Sequence, residues 1–381
     1  MKKIVNLENL IYLTIFALPV YLWRISFINA LDILIIACVI GWLIFYQEGV
    51  DYRALFKKHK PFIFSTGIIL LGLIVSVLVN KNYATGLGII KSWFLLPMAL
   101  AFVVSQVIEE KKLKNVFLSY YASAFFVALV SLGYYFYGNV TFDLRLQGFF
   151  NSPNYLAMYL APAIFIGYAL FFETKTGKKG LVFSSLAVIL AALCLTYSYA
   201  SWISVALVFG FVFRLGKKIN WKKYLLGLFL LVILFFSQLE KNKLQSLVSF
   251  DSRSSLASRM MIWQSAEKML ENNALFGIGA GNFQEKYLAY QKYFPPYLEW
   301  AVPHPHSLYL AFWLYGGVFS LAGFLALVYF WFAHIFRSQK NPQLKFIGLG
   351  IMGYILLHGI VDTTYFKNDL TVVFWLLFVL L

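Results

Sequence analysis

The chain has 381 residues, 61% of them hydrophobic and only 13% charged, with a formal net charge of +16. Its mean hydropathy is +0.74, which excludes an ordinary soluble domain, whose charged fraction is roughly 25%. The composition is that of an integral membrane protein, so the basic excess has to be explained by membrane topology before nucleic acid is considered.

Apolar runs suited to a ~30 Å hydrocarbon core, which takes about 20 residues of helix, recur from end to end. In chain order the predicted spans fall near residues 8–26, 30–46, 62–80, 84–107, 115–137, 153–172, 181–197, 199–214, 224–237, 308–334, 345–361 and 369–381. Each run is continuously apolar and lacks the two-residue alternation of a membrane barrel. The expected fold is therefore all-α, a polytopic membrane helix bundle of about 12 transmembrane helices, with residues 1–381 forming a single transmembrane domain. The opening Met1-Lys2-Lys3 precedes an apolar run with no small-residue cleavage site, which reads as an uncleaved first span. Cys38 and Cys194 fall inside spans, where a thiol behaves as a small apolar group, so no disulfide is expected.

Charge alternation orients the bundle. With the N-terminus inside, the inner connections collect Lys2 and Lys3, then Arg53 to Lys60, Lys111 to Lys114, Lys175 to Lys179, Arg214 to Lys223, and Arg337 to Lys345. The short outer connections hold Arg24, Lys81, Arg145 and Lys367. This is the pattern of basic residues retained on the cytoplasmic side, and it predicts that both termini are cytoplasmic.

One connection is long. Residues 238–302 form an expected large extracytoplasmic loop containing short helices, and long loops in compact proteins are where function concentrates. Ser254 and Ser255 are placed to cap a helix running to about Asn272, because serine accepts the free amide hydrogens of a first turn. On that helix Arg259 and Trp263 share a face at i and i+4, while Met260, Met269 and Leu270 are expected to rest on the membrane surface. Phe276-Gly277-Ile278-Gly279-Ala280-Gly281-Asn282-Phe283 reads as a flexible turn. It lacks the preceding strand and the lysine or acidic partner of a nucleotide-binding loop.

After this loop comes Pro303-His304-Pro305-His306-Ser307, two histidines at the lip of the apolar run from Leu308 to Phe336. Histidine exchanges protons near neutral pH, so this lip is a candidate proton-handling site. Arg145 and Arg259 are the best-placed outer arginines for phosphate oxygens, which a guanidinium grips through paired, charge-assisted hydrogen bonds. The outer acids, among them Asp143, Glu267, Glu271, Asp362 and Asp369, never form an Asp-x-Asp pair that would hold a divalent cation, so no metal and no cofactor are expected.

Three stretches in order resemble the O-antigen ligase and O-antigen polymerase superfamily of polytopic membrane glycosyltransferases. The first runs from Arg145 through Gly148, Asn151 and Asn154 to Ala157. The second is Arg259 with Trp263, followed by Leu275 to Phe283. The third is His306-Ser307 with nine residues before Gly317, and the closing His358-Gly359-x-x-Asp362 is similar as well. The likeness covers roughly residues 140–380. It implies a GT-C-like bundle that moves a glycan from an undecaprenyl diphosphate carrier to a glycan, lipid or protein acceptor, in the bacterial inner (cytoplasmic) membrane. It implies His306 as the catalytic base and Arg145 and Arg259 as diphosphate ligands. Where many relatives carry Ser-Arg this chain has Ser198-Tyr199, which removes one expected cation. Lys91, costly inside a span unless it faces a polar cavity, is a possible replacement.

Each residue also has a plainer reading. His304 fits as a loop residue, Arg145 as an anchor to lipid phosphates, and Arg259 as part of a solvated helix face. Asn154 fits as a cap of the helix after Pro153, and Asp362 as a partner of His358 four residues earlier. A transporter or flippase of lipid-linked oligosaccharide would share the helix count, but predicts charged or broken helices near the bilayer midplane. Nothing in the sequence separates ligation, polymerisation and protein glycosylation.

Overall fold

The computed structural model describes residues 2–25, 28–215, 255–294, 302–338 and 341–381. Its elements are α1 (Lys2–Phe16), α2 (Ala30–Phe45), α3 (Tyr52–Asn80), α4 (Tyr83–Ile90), α5 (Leu96–Val107), α6 (Leu113–Phe136), α7 (Pro153–Glu173), α8 (Thr176–Leu195) and α9 (Tyr199–Leu215). After these come α10 (Ser255–Asn273), α11 (Phe283–Tyr290), α12 (Leu308–Arg337), α13 (Pro342–His358) and α14 (Asn368–Leu376). Among the described residues the fold is all-α apart from one short antiparallel pairing, Arg24–Ile25 with Ile28–Asn29.

Among the described residues six helices are long and apolar enough to cross a membrane: Tyr52–Asn80, Tyr83–Val107, Glu110–Phe136, Pro153–Glu173, Thr176–Leu195 and Leu308–Arg337. The expected spans at 30–46, 199–214 and 369–381 correspond to shorter apolar helices, that at 345–361 corresponds to α13, and that at 224–237 lies outside the described residues. The first expected span, 8–26, is a correction. Its α-helix stops at Phe16, because Pro19 opens a 3-10 turn over Leu18–Leu22, where proline's missing N–H cannot continue the α-helical ladder.

Helix starts follow capping chemistry. Asn29 accepts from the Asp32 amide at 2.8 Å, and Asp51 accepts from the amides of Arg53 and Ala54 at 3.0 Å each, each satisfying donors that a first turn leaves open. The Asp51 cap draws the basic stretch Arg53 to Lys60 into α3, so that connection is helical where the sequence suggested a loop.

The core is organised by α12 packed along α3. A Cβ on Gly72 would lie 2.5 Å from the Gly316 carbonyl oxygen, and one on Gly323 would lie 2.8 Å from the Ser65 carbonyl oxygen. Small residues admit this close backbone approach, the usual route to helix association in lipid. Two interruptions shape the bundle. Between α4 and α5, Lys91–Leu95 forms a π-helical turn, of the kind that often marks a functional position. In α12 the backbone breaks at Gly316 and at Gly317, whose φ is +68°, so the segment from Leu308 to Tyr315 is a separate half-helix.

The Gly-rich stretch after α10 docks into that break, which corrects the expectation of a flexible turn. Ile278 N donates to Leu314 O at 2.7 Å and Val318 N donates to Ala274 O at 3.1 Å, satisfying backbone groups that the kink releases. Asn80 and Asn82 side chains donate to the carbonyls of Gly277 and Ala280 at 3.2 and 2.6 Å. A Cβ on Gly317 would sit 2.0 Å from Leu275 O. The spacing from His306 to Gly317 is thus the length of the half-helix between the histidine and its anchored break. Met269 and Leu270 are likewise corrected: both are buried against the protein rather than resting on a membrane, and only Met260 is exposed.

Candidate functional site

Four segments meet at the head of α12. They are the loop before α7, helix α10, the Pro-His-Pro-His string, and the connection from α13 to α14. Asp362 is where they join, with its side chain 2% exposed. Its Oδ1 lies 3.0 Å from His306 Nδ1 and accepts the Thr363 amide at 2.9 Å. Its Oδ2 accepts from Arg259 Nη2 at 3.3 Å and from Asn154 Nδ2 at 3.2 Å. Asn154 in turn accepts on Oδ1 from Arg145 Nη2 at 2.8 Å. The structure therefore brings His306, Asp362, Arg259, Asn154 and Arg145 into one hydrogen-bonded chain.

Burial would raise the Asp362 carboxyl, yet the His306 ring and the Arg259 guanidinium beside it hold it well below the usual carboxylate range. An ionised carboxylate can only accept, so Nδ1 of His306 carries the hydrogen and Nε2 presents a lone pair. The His306 side chain is 28% exposed. The backbone of His306 has φ +44°, a region that non-glycine residues rarely occupy unless their surroundings hold them there. Here Trp263 Nε1 donates to His306 O at 3.2 Å, and Leu308 N donates to Gly359 O at 2.7 Å.

Both arginines are tethered by part of their donors. Arg259 Nε donates to Val361 O at 2.7 Å and Nη1 to Ser255 O at 3.2 Å. Arg145 Nε donates to Thr196 O at 2.8 Å, and burial lowers its pKa, offset in part by Asp143. Each guanidinium has five N–H donors, so both keep some for an anion. Tyr199, standing where the family pattern has arginine, is buried and close enough to Arg145 to interact with it electrostatically.

Two plainer readings from the sequence are corrected. Asn154 does not cap its helix: Ser152 does, accepting from the Asn154 amide at 3.2 Å, with Pro153 at the first helical position, where proline's missing donor costs nothing. That Ser-Pro order was the available signal, and it frees the Asn154 amide to bridge Arg145 to Asp362. Asp362 does not pair its carboxylate with His358, whose Nδ1 is 2.8 Å from the Tyr354 hydroxyl. Its amide alone reaches back, donating to His358 O at 3.0 Å.

His304 is not joined to the Asp362 chain. It is partly buried, and its Nε2 meets the Tyr155 hydroxyl, whose ring lies under Lys367 Nζ at 3.2 Å. Burial, with His306 and Lys367 nearby, pushes its pKa down to about 3. Lys91 is also outside the chain, paired with Asp32 at 2.9 Å on the π-helical turn. Among the described residues no three His, Cys, Asp or Glu side chains gather as a metal site requires.

Several apolar helices of membrane-spanning length, with a buried carboxylate, two tethered arginines and a histidine gathered at one end, point to a polytopic membrane protein. Residues 184–325 match the family model described as O-antigen ligase. The match supports the O-antigen ligase superfamily, and in general terms an O-antigen ligase or polymerase type of membrane glycosyltransferase. It contains Arg259, Trp263, the Gly-rich turn, His306 and Gly317, while Arg145, Asn154 and Asp362 lie beyond its ends. No curated protein matches the chain.

Proposed function

We propose that the chain is an enzyme of the outer face of the bacterial cytoplasmic membrane, with both termini inside, that transfers a glycan from an undecaprenyl diphosphate carrier to an acceptor hydroxyl. The observation that carries this reading is the Asp362 carboxylate shared between His306 Nδ1 and Arg259 Nη2, with Arg145 linked through Asn154.

In the proposed reaction His306 Nε2 takes the proton of the acceptor hydroxyl as its oxygen bonds to the sugar's anomeric carbon. The bond from that carbon to the diphosphate oxygen breaks, and the electron pair leaves with the lipid diphosphate. Asp362 fixes the imidazole tautomer and stabilises the imidazolium that forms. Arg145 and Arg259 hold the diphosphate as negative charge builds on it, work that a preorganised, water-poor site does well. The reading needs no metal, no cofactor and no nucleic acid. The acceptor is a glycan, a lipid or a protein, and membrane lipids surround the bundle.

One observation favours a second reading, transport of the lipid-linked oligosaccharide: Lys91 and Asp32 form an ion pair at an interruption in an apolar helix, as transporter sites do. Reconstitution into vesicles with a lipid-linked oligosaccharide and candidate acceptors separates the two. Transfer with release of polyprenyl diphosphate, lost in His306→Ala and Arg259→Ala, is expected. Full transfer by both variants would remove the proposed mechanism, and net lipid translocation without diphosphate release would establish transport.

A further inference from the structure

Beside His306 a cleft of about 620 Å³ opens between α10 and the half-helix of α12. Trp263, Trp313 and Ile360 line it together with Glu267 and Glu271. Trp263, Glu267 and Glu271 recur every four residues, so they share one face of α10. Ser307 completes the lining. It is 5% exposed, its hydroxyl does not cap α12, and among the described residues that hydroxyl has no hydrogen-bond partner.

We propose that this cleft is the subsite for the acceptor, and that it takes a neutral or amino-bearing pyranose saccharide. The inference rests on the transfer reading above and names its acceptor class. Three features carry it. Indole faces offer flat apolar surface with a negative quadrupole, complementary to the C–H faces of a pyranose ring, and carboxylates accept from sugar hydroxyls or from an ammonium. The volume lies in the range of small-ligand sites. Charge then chooses between the two substrates: Glu267 and Glu271 line this cleft and neither Arg145 nor Arg259 does, and like charges in a cleft repel an anion. A diphosphate or a phosphorylated sugar is disfavoured here, whereas a neutral acceptor is not. Among the described residues Glu267 has no ion-pair partner, while Glu271 pairs with Lys268. The cleft abuts the proposed base, because Trp263 both lines it and donates to the His306 carbonyl.

The test is binding first and kinetics second. The full chain in lipid nanodiscs is applied to an array of neutral, amino-bearing, phosphorylated and uronic pyranosides, and to farnesyl diphosphate as a short polyprenyl probe. Neutral or amino-bearing glycans are expected to bind, at least fivefold more weakly to Glu267→Ala and to the Glu267→Ala/Glu271→Ala variant, with farnesyl diphosphate binding unchanged. Anionic glycans binding best, or no glycan binding sensitive to these exposed residues, overturns the inference. So does farnesyl diphosphate binding that changes in their place, which would assign the cleft to the carrier. In the transfer assay the acceptor KM is expected to rise in both variants while the donor KM holds. Wild-type transfer with unchanged acceptor KM defeats the subsite and leaves the transfer reading standing. Glutamate-dependent glycan binding without any transfer defeats the transfer reading instead.

Discussion

His306 Nδ1 and Asp362 Oδ1 lie 3.0 Å apart, joined across 56 residues of chain, one just before the α12 half-helix and the other in the connection after α13. Asp362→Asn keeps the shape but places a donor or a weaker acceptor against Nδ1, so the imidazole loses its enforced tautomer. The rate of glycan transfer is expected to fall by roughly 10²-fold or more, the range of a lost general base. The donor KM should change less than kcat, measured as initial rates in reconstituted vesicles.

Among the described residues Asn154 bridges Arg145 to the Asp362 carboxylate with its side-chain amide. Asn154→Ala leaves buried donors on Arg145 and an acceptor on Asp362 without their partner, a loss of about 1–3 kcal/mol. Thermal unfolding in detergent should shift downward. Donor KM should rise with the loosened Arg145, and Asn154→Asp should do worse than Asn154→Ala because it sets a second carboxylate beside Asp362.

His304 makes stability depend on pH with a definite sign. Its folded pKa, about 3, is depressed from an unfolded value near 6.5, so the unfolded state binds more protons between the two. The neutral ring's contribution is fully present above about pH 6.5 and lost progressively as pH falls toward 3, by up to ~1.4 kcal/mol per pH unit. Asp362 is also depressed, but its contribution is lost only below the ordinary carboxylate value of about 3.9. Denaturation midpoints measured from pH 7 to pH 5 should therefore fall in the wild type, and fall less in His304→Gln.

Gly317→Ala should damage the fold. Its φ of +68° and a Cβ only 2.0 Å from Leu275 O combine backbone strain of about 1–3 kcal/mol with a clash against backbone that cannot rotate away. Gly88→Ala is the control, because nothing lies within 4 Å of its added Cβ and alanine favours a helix by about 1 kcal/mol. Yield of folded protein by size-exclusion chromatography should collapse for the first variant and hold for the second.

Lys91→Met removes the charged partner of Asp32, whose side chain is 2% exposed and keeps the Ser92 hydroxyl as donor; because Lys91 is itself 37% exposed, the cost should fall below the roughly 3–5 kcal/mol of a fully buried pair. Lys91→Met/Asp32→Leu should recover most of that stability. If the double variant also keeps the wild-type donor KM, Lys91 serves the fold and not the diphosphate. A raised donor KM in a stable double variant would bring Lys91 back to the carrier.

Much of the site was legible because its residues sit where chemistry makes them conspicuous. Arg259 and Trp263 share a helix face by simple periodicity, and His306 stands out between prolines at the start of an apolar run. The readings that failed depended on contacts no local pattern encodes. Asn154 has the composition of a cap, but Ser152 and Pro153 already occupy the capping positions. Asp362 is one helical turn from His358, yet Tyr354 takes that ring first. The Gly-rich turn reads as loose because glycine permits many conformations, whereas Asn80, Asn82 and the kink at Gly317 select one of them.

By itself the sequence determined that this is a helical membrane protein, because long apolar runs have no other stable place, and that basic residues fall on alternate connections. It also marked the residues able to handle a proton or an anion. Only the tertiary structure decided which of them meet. Positions 145, 154, 259, 306 and 362 come from segments far apart in the chain, and a hydrogen bond holds over about 3 Å, so partners are chosen by how α3, α10 and α12 pack. The break at Gly316 and Gly317 sets where the half-helix ends, and so where His306 stands against Asp362.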